Sequence, residues 1–226
     1  MNTHLFKRYF LVTGVLVFIG MPLLLYAVGD FPRRSLLKET LSIATLLSFS
    51  LMLSQFFLAR SNMRVIELFD LRHVKKLHVY LAYTVVTVIL LHPFFVVLPR
   101  FFEAGIPPKD AFITMVTSFH RSGIFFGLVA WCLLLLLVVT AFFRFRLIRL
   151  LHTDYPHWRH FHGMLSVLFT VCALVHVITL GRHIDAYLAG FYIAVAASGT
   201  FLLLRMYVPR SIVVKPQQSE PSGAKP

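Results

Sequence analysis

Four histidines in two apolar stretches are the residues of this chain best suited to hold a cofactor. His78 and His92 are separated by 14 positions, and His162 and His176 repeat that spacing. Fourteen residues of helix advance about 21 Å and end about 40° short of whole turns, so each pair shares one helix face. If these helices span a membrane, each carries one imidazole near either edge of the hydrocarbon, where ionisable residues are usually functional.

Two such helices side by side would assemble the four imidazoles into two layers. The iron of haem takes two axial imidazoles from opposite sides, so two haems stacked across the membrane fit the pattern. The alternative is a set of core histidines that bond to neighbouring helices. Two pairs with equal spacing favour haem ligation. We assign no catalytic residue.

The composition is that of an integral membrane protein rather than a soluble domain. The 226 residues are 58% hydrophobic, and the mean hydropathy is +0.78. The net charge of +13 fits basic loops that hold anionic lipid headgroups, so no nucleic-acid partner is expected. The 11 glycines form no GxGxxG or P-loop pattern, which argues against a dinucleotide site. Cys132 and Cys172 fall inside apolar runs and indicate small core residues.

Six apolar stretches are long enough to cross a bilayer as helices. The first follows Lys7 and Arg8 and contains Pro22, where we expect a kink. A signal peptide is the competing interpretation; its apolar core would be unusually long, and no clear cleavage site follows. The first span is predicted to end near Val28, and the other predicted spans are 39–59, 77–98, 124–143, 162–180 and 186–207.

The connections between the spans differ in character. Residues 60–76 mix charges with apolar residues at helical spacing, which predicts a helix at the membrane interface. Pro93 directly follows His92 and predicts a kink that opens this end of the span for a bulky ligand. The connection 99–123 is long enough for a lid or a partner contact. The Pro-, Ser- and Gly-rich tail 211–226 is predicted to be disordered.

The distribution of basic residues predicts the orientation. Of the 22 Lys and Arg residues, 15 lie in the N-terminus, in the connections after the second and fourth spans, and beyond the sixth span. The richer set should be cytoplasmic, so both termini are expected inside, in a multi-pass protein of the inner or plasma membrane. The third and fifth spans then run in the same direction. His78 and His162 form an inner layer, and His92 and His176 form an outer layer.

The chain resembles the ferric reductase-like transmembrane domain family. This family is shared by ferric reductases, NADPH oxidases and the haem subunit of periplasmic methionine sulfoxide reductase systems. The resemblance covers about residues 36–180 and rests on the stretches LHVYLAYTVVTVILLHP, SGIFFGLVAWCLLLLLVVTA and YPHWRHFHGMLSVLFTVCALVH. The last stretch contains the family's W-x-x-x-H pattern, at Trp158 and His162.

The resemblance implies an all-α, integral membrane six-helix bundle that binds two b-type haems. His78 and His162 would ligate the inner haem, and His92 and His176 would ligate the outer haem, which is the pairing that spacing and charge favour. We divide the chain into a first span with its external loop, a ferric reductase-like core, a sixth span and a cytoplasmic tail, at 1–38, 39–180, 181–210 and 211–226.

Cationic side chains near each layer are candidates to bind the haem propionates, which need cationic or hydrogen-bonding partners. We predict Lys76 and Arg159 for the inner haem and Arg121 for the outer haem, with headgroup anchoring as the alternative for each. His120 and His183 are expected in external loops. There they are candidates to bind an anionic or metal-chelate substrate, against the alternative of ordinary loop residues.

The predicted function is transmembrane electron transfer from a cytoplasmic reduced flavin or flavoprotein to an external acceptor, either a ferric chelate or a periplasmic protein. We expect no flavin or nicotinamide domain after the last span. A separate partner would then supply FMN or FAD, and this chain would be the haem component of an oxidoreductase. The oxidase branch of the family tends to carry a further histidine where this chain has Val96, which argues against superoxide production.

Three other functions remain open. The chain is a candidate haem subunit that feeds a periplasmic methionine sulfoxide reductase. It is also a candidate haem-free membrane scaffold or transporter, which would show no haem spectrum. The third alternative is a quinol-linked cytochrome that takes electrons from the membrane pool.

Overall fold

The computed structural model describes residues 3–102, 105–205 and 207, and within them the chain is helical, without a β-strand. Six of the described helical stretches are long and apolar enough to cross a membrane. The predicted all-α class and the predicted number of spans are therefore confirmed. The tail 211–226, which we predict to be disordered, lies outside the described residues.

The helices have the following bounds in chain order. The described elements are α1 Thr3–Val15, a π-helical segment Leu16–Gly20, α2 Met21–Val28, α3 Leu36–Ser54, α4 Met63–Phe69, α5 Leu71–Val97, a 3-10 turn Leu98–Phe101, α6 Pro108–Thr117, α7 Ser122–Phe142, α8 Arg144–Leu150, α9 Tyr155–Leu180 and α10 Ala186–Leu204.

The first span changes its hydrogen bonding just before Pro22. Proline has no N–H to donate to the helix, and the preceding turn is π-helical, with the Met21 N–H bonded to the carbonyl of Leu16. The irregularity that Pro22 predicts therefore takes the form of a π-helical turn immediately upstream of it. The connection after the third span, which we predict to be long enough for a lid or a partner contact, contains the helix α6.

The third span begins six residues before its predicted start. Asp70 has a positive φ of 65°, which separates the short helix α4 from α5, and α5 then begins at Leu71. The segment predicted as one interfacial helix is thus divided between two helices. At the other end α5 continues through Pro93 to Val97, so His78 and His92 lie on one continuous helix.

The fifth span begins seven residues before its predicted start, because of a capping residue. The Asp154 carboxylate accepts a hydrogen bond of 2.9 Å from the backbone N–H of His157, and Pro156 occupies the first turn. The same bond lowers the pKa of the Asp154 carboxyl. Asp185 caps α10 in the same way, with a bond of 2.8 Å from the backbone N–H of Leu188. The second span, α3, begins at Leu36, three residues before its predicted start.

The helices pack as two tight pairs with α10 beside them. α7 packs most extensively against α9, and α3 packs against α5, while α10 contacts both α3 and α9. Leu53, Leu134 and Tyr192 are almost completely buried in the common core. α5 and α9 make at most slight backbone contact with each other. The two histidine-bearing helices therefore belong to different pairs and approach each other through side chains.

Candidate functional site

The two histidines of the outer layer meet across the bundle. The ring centroids of His92 on α5 and His176 on α9 are 6.2 Å apart, and the ring planes are inclined at 75°. His176 Nδ1 lies 2.8 Å from the carbonyl oxygen of Gly123, so it carries the proton and donates. His92 Nδ1 lies 3.4 Å from the hydroxyl of Thr45, whose own proton is bonded to the carbonyl of Leu41. In both rings the contact is made by Nδ1, so Nε2 lies on the other side of the ring and makes no described hydrogen bond.

A glycine on α7 makes room for one of these rings. A Cβ at Gly127 would collide with Nδ1 and Cε1 of His176. The absence of a side chain therefore lets the imidazole lie directly against the α7 backbone. Trp131, one turn further along α7, donates its indole N–H to the carbonyl of Leu90 at 3.1 Å and so ties α7 to α5 close to His92.

The two histidines of the inner layer also approach each other. His78 and His162 are close enough to interact electrostatically. Nδ1 of each ring is buried and has no hydrogen-bond partner among the described residues. Trp158 stacks on His162, with the centroids 5.1 Å apart and the planes inclined at 21°. Buried polar atoms without a partner are rare in folded proteins, so these two nitrogens require a partner that is not among the described residues.

The predicted propionate partners lie in different environments. Lys76 and Arg121 are exposed, whereas Arg159 is partly buried and its Nε has no partner within the described residues. Tyr207 is not among the predicted residues, yet its hydroxyl is also buried without a described partner and lies where a side chain on Gly163 would stand. Its position just beyond the last helix gave no signal in the sequence.

His183 corrects the sequence analysis. We expect an external loop residue at this position, but the side chain is only 6% exposed. Its ring lies between Tyr26, at 4.9 Å, and Phe31, at 5.3 Å between centroids. Nε2 lies 3.0 Å from Nη2 of Arg34 and 3.7 Å from Oε1 of Glu39. Burial lowers the pKa of the His183 imidazole. His120, in contrast, is exposed as predicted.

His183 belongs to a larger group of polar side chains. Glu39 accepts hydrogen bonds of 3.2 Å from both the backbone N–H and Nε of Arg34, and it accepts another from the Tyr26 hydroxyl. Arg34 Nη2 also donates to Ser42 Oγ at 2.6 Å. Ser42 is one turn before Thr45 on α3, so this group begins one turn from the contact to His92. The outer polar cluster consists of Tyr26, Arg33, Arg34, Glu39, Ser42 and His183.

Within the described residues, the histidines of the two layers lie in pairs rather than in larger metal-binding clusters. In the part of the chain that the structure describes, no group of three or more His, Cys, Asp or Glu side chains could hold a bare metal ion. Two facing imidazoles match the two axial positions of a haem iron. The structure brings His92 and His176 face to face across the bundle, and it places His78 within electrostatic range of His162.

Much of the chain is similar to known proteins. Residues 44–173 match the family model described as "Ferric reductase like transmembrane component". A protein of Archaeoglobus fulgidus described as "Uncharacterized protein" is 37% identical over 164 residues, which cover 73% of this chain and 87% of the relative. No solved structure matches the chain.

Proposed function

The chain belongs to the family of ferric reductase like transmembrane components, and we propose that it carries electrons across a membrane through two b-type haems. The family and the six apolar helices make it a multi-pass integral membrane protein. His92 and His176 would ligate the outer haem, and His78 and His162 the inner haem. The pairing of each α5 histidine with one α9 histidine carries this proposal.

The geometry of the outer layer fits a haem. Two imidazoles that ligate one iron from opposite sides have ring centres about 6 Å apart, because each metal–nitrogen bond is about 2 Å and each nitrogen lies about 1 Å from its ring centre. The 6.2 Å between His92 and His176 agrees with this distance. Neither ring donates or accepts a described hydrogen bond through Nε2, so this nitrogen is available to the iron.

The residues around each layer would hold and tune the haems. A bound haem supplies an iron centre that takes up and releases one electron. The carbonyl of Gly123 and the hydroxyl of Thr45 orient the outer imidazoles and raise their basicity. We propose Arg159 and Lys76 for the inner propionates and Arg121 for the outer ones. The buried, unpartnered Nε of Arg159 supports its assignment.

The charge distribution supports the orientation on which the proposed direction of transfer depends. Fifteen of the 22 basic residues lie on the side that we assign to the cytoplasm, together with both termini. A reduced flavin or flavoprotein on that side would reduce the inner haem. The outer haem would pass the electron to an external acceptor, a ferric chelate or a periplasmic protein. The chain would act as the haem component of an oxidoreductase whose flavin is supplied by a partner.

A haem spectrum of the purified protein tests this proposal. We expect a reduced b-type spectrum and about two haems per chain. His92→Ala and His78→Ala should each remove about one haem, from the outer and the inner layer respectively. His120→Ala is the matched control, because His120 is exposed and belongs to neither layer.

A scaffold or transporter without haem makes the opposite prediction. A folded preparation that stays colourless after haem supplementation would overturn the proposal. So would a preparation in which His92→Ala and His78→Ala both keep the full haem content.

A further inference from the structure

One histidine outside the two layers is buried among charged side chains. His183 lies in the connection between α9 and α10, and its Nε2 is 3.0 Å from Nη2 of Arg34 and 3.7 Å from Oε1 of Glu39. A guanidinium group can only donate hydrogen bonds, so Nε2 accepts from Arg34 and the neutral ring carries its proton on Nδ1. This Nδ1 is buried and has no hydrogen-bond partner among the described residues.

The place of Arg34 in the outer polar cluster depends on the protonation state of His183. A protonated ring carries a second N–H at Nε2, and two donors cannot face each other at 3.0 Å. Oε1 of Glu39, 3.7 Å from Nε2, is an acceptor for the new N–H. Arg34 would then withdraw from the ring and give up its bond of 2.6 Å to Ser42 Oγ. The cluster therefore has two alternative hydrogen-bonded arrangements, with either Arg34 or a proton at Nε2.

The cluster extends to within one helical turn of the outer layer. Ser42, which accepts the bond from Arg34, is three residues before Thr45 on α3, and residues three apart are neighbours on a helix surface. Thr45 Oγ1 lies 3.4 Å from Nδ1 of His92, a proposed ligand of the outer haem. A charge gained at His183 would therefore interact with a charge gained at the outer layer through the protein interior, where screening is weaker than in water.

We propose that His183 is a proton switch that couples the outer haem to the external pH. The inference rests on the proposed function. An electron at the outer layer would favour a proton at His183, because the two opposite charges attract each other. By thermodynamic linkage, the proton would favour the ferrous state of the iron by the same free energy. The withdrawal of Arg34 is the conformational change that accompanies the proton.

Electrons and protons balance in this step. One electron, which arrives from the inner haem, would reduce the outer iron from the ferric to the ferrous state. One proton would pass from the external water to Nε2 of His183 and form an N–H bond. When the external acceptor removes the electron, this bond would break and the proton would return to the external water.

The groups around His183 set the pH at which the switch operates. The charged and titratable side chains that face the ring are Tyr26 on α2, Arg33 and Arg34 in the connection that follows it, Glu39 on α3, and Arg182 beside it in the chain. Burial lowers the pKa of the His183 imidazole, the carboxylate opposes this shift, and the three guanidinium groups add to it. The ring should therefore take up its proton below the ordinary histidine pKa of about 6.5 when the iron is ferric, and closer to that pH when it is ferrous.

Redox titrations at several pH values test the switch. The full chain with both haems, in nanodiscs of neutral lipid, would be titrated spectroscopically between about pH 5 and pH 8. We expect the potential of the outer haem to rise as the pH falls. His183→Gln, which keeps an acceptor for Arg34 but cannot titrate, should lose at least about half of this rise. His120→Gln is the matched control at an exposed histidine, and it should keep the full rise.

Ser42→Ala tests the role of Arg34. The variant removes an acceptor that holds Arg34 beside Nε2, so His183 should bind a proton more readily. The pH at which the outer potential begins to rise should move up by about one unit. Ser118→Ala is the control, because the Ser118 hydroxyl donates to the carbonyl of Thr114 and not to the cluster, and it should leave this pH unchanged.

Proton uptake gives a second measurement on the same samples. An electrode would reduce the weakly buffered protein while an indicator dye follows the external pH, and His183→Gln should take up fewer protons per outer haem than the unmodified chain. An unchanged pH dependence and unchanged proton uptake in His183→Gln would overturn the inference, and so would an unchanged transition in Ser42→Ala. If two haems are present in those samples, the proposed function still holds and only the switch fails. A chain without an outer haem would overturn both.

Discussion

Nδ1 of His176 on α9 donates a hydrogen bond of 2.8 Å to the carbonyl oxygen of Gly123, in the first turn of α7. Gly127, one turn further along α7, lies directly against the same ring. α7 therefore holds this imidazole both by a hydrogen bond and by close contact. His92 has the longer contact of 3.4 Å to Thr45, so the two outer ligands are fixed by different helices and to different degrees.

Replacement of Gly127 with Ala should release the outer haem and leave the inner one. The added methyl group collides with the His176 ring, which must then turn away from the position that faces His92. We expect the haem content to fall from about two to about one per chain, measured as pyridine haemochrome against protein concentration.

Gly190→Ala on α10 is the matched control for that change. It adds the same methyl group to a helix, but the described residues place no heavy atom within 4 Å of the new Cβ. This variant should keep both haems. If Gly127→Ala also kept both, His176 would not ligate iron in the orientation seen here.

Replacement of Thr45 with Val should raise the reduction potential of the outer haem. An axial imidazole that donates through Nδ1 is more basic and stabilises the ferric state, so the loss of the acceptor favours the ferrous state. A weak hydrogen bond of about 0.5–1 kcal/mol corresponds to about 20–40 mV for one electron. A spectroscopic redox titration would measure the shift.

The control for this prediction is Thr87→Val on α5. Thr87 is exposed, and its hydroxyl donates to the carbonyl of Tyr83 and not to a histidine. Its replacement should leave both potentials unchanged. An outer potential that does not move in Thr45→Val would show that Thr45 does not tune His92.

The two histidine layers could be predicted because they follow from periodicity and charge. Helical spacing places His78 and His92 on one face, and the distribution of Lys and Arg sets the direction of each span. Helical spacing and the distribution of charge can both be read from short stretches of the sequence. The pairings of His78 with His162 and of His92 with His176 need only that two such stretches lie side by side, and the structure brings these residues together.

The outer polar cluster could not be predicted because it joins segments that are distant in the chain. His183 follows the fifth span, Glu39 lies in the first turn of α3, and Tyr26 lies near the end of α2. Beside Arg182 in a short connection, His183 shows the pattern of an exposed loop residue. The packing of α2, of Phe31 in the connection that follows it, and of α3 against the His183 connection buries this side chain. The early starts of α5 and α9 also depend on local detail, which is the positive φ of Asp70 and the side-chain cap of Asp154.

Replacement of Glu39 with Gln should destabilise the protein, because it leaves Arg34 and its neighbours without their carboxylate. The side chains of Glu39 and Arg34 are only 13% and 23% exposed. We expect the free energy of unfolding to fall by about 2–3 kcal/mol, which corresponds to a fall in Tm of about 5–10 °C. Thermal unfolding in detergent, followed by intrinsic fluorescence, would measure it.

Two further variants make this prediction specific. Glu67→Gln removes an exposed carboxylate on α4 and should leave Tm nearly unchanged. The double variant Glu39→Gln/Arg34→Gln should lower the free energy of unfolding by less than the sum of the two single changes, because each single change already breaks the bonds between these side chains. Strict additivity in this cycle would show that the two side chains do not stabilise each other.

His183 should make the haem-loaded protein less stable at acidic pH. Burial holds the pKa of its imidazole below the ordinary value of 6.5, and the neighbouring Arg34, Arg33 and Arg182 act in the same direction against Glu39. Below about pH 6.5 the unfolded chain therefore binds a proton that the folded chain resists. The contribution of the neutral His183 to the free energy of unfolding is fully present above that pH. It is lost as the pH falls towards the pKa of the folded state.

His183→Gln keeps a hydrogen-bond acceptor for Arg34 but cannot titrate in this range. Tm measured from pH 7.5 to pH 5 should fall less steeply in this variant than in the unmodified chain. His120→Gln, at an exposed histidine, should keep the full slope. If His183→Gln also kept the full slope, the acid sensitivity would come from another group. A reduced slope would instead identify the buried imidazole beside Glu39 as the group that limits stability at low pH.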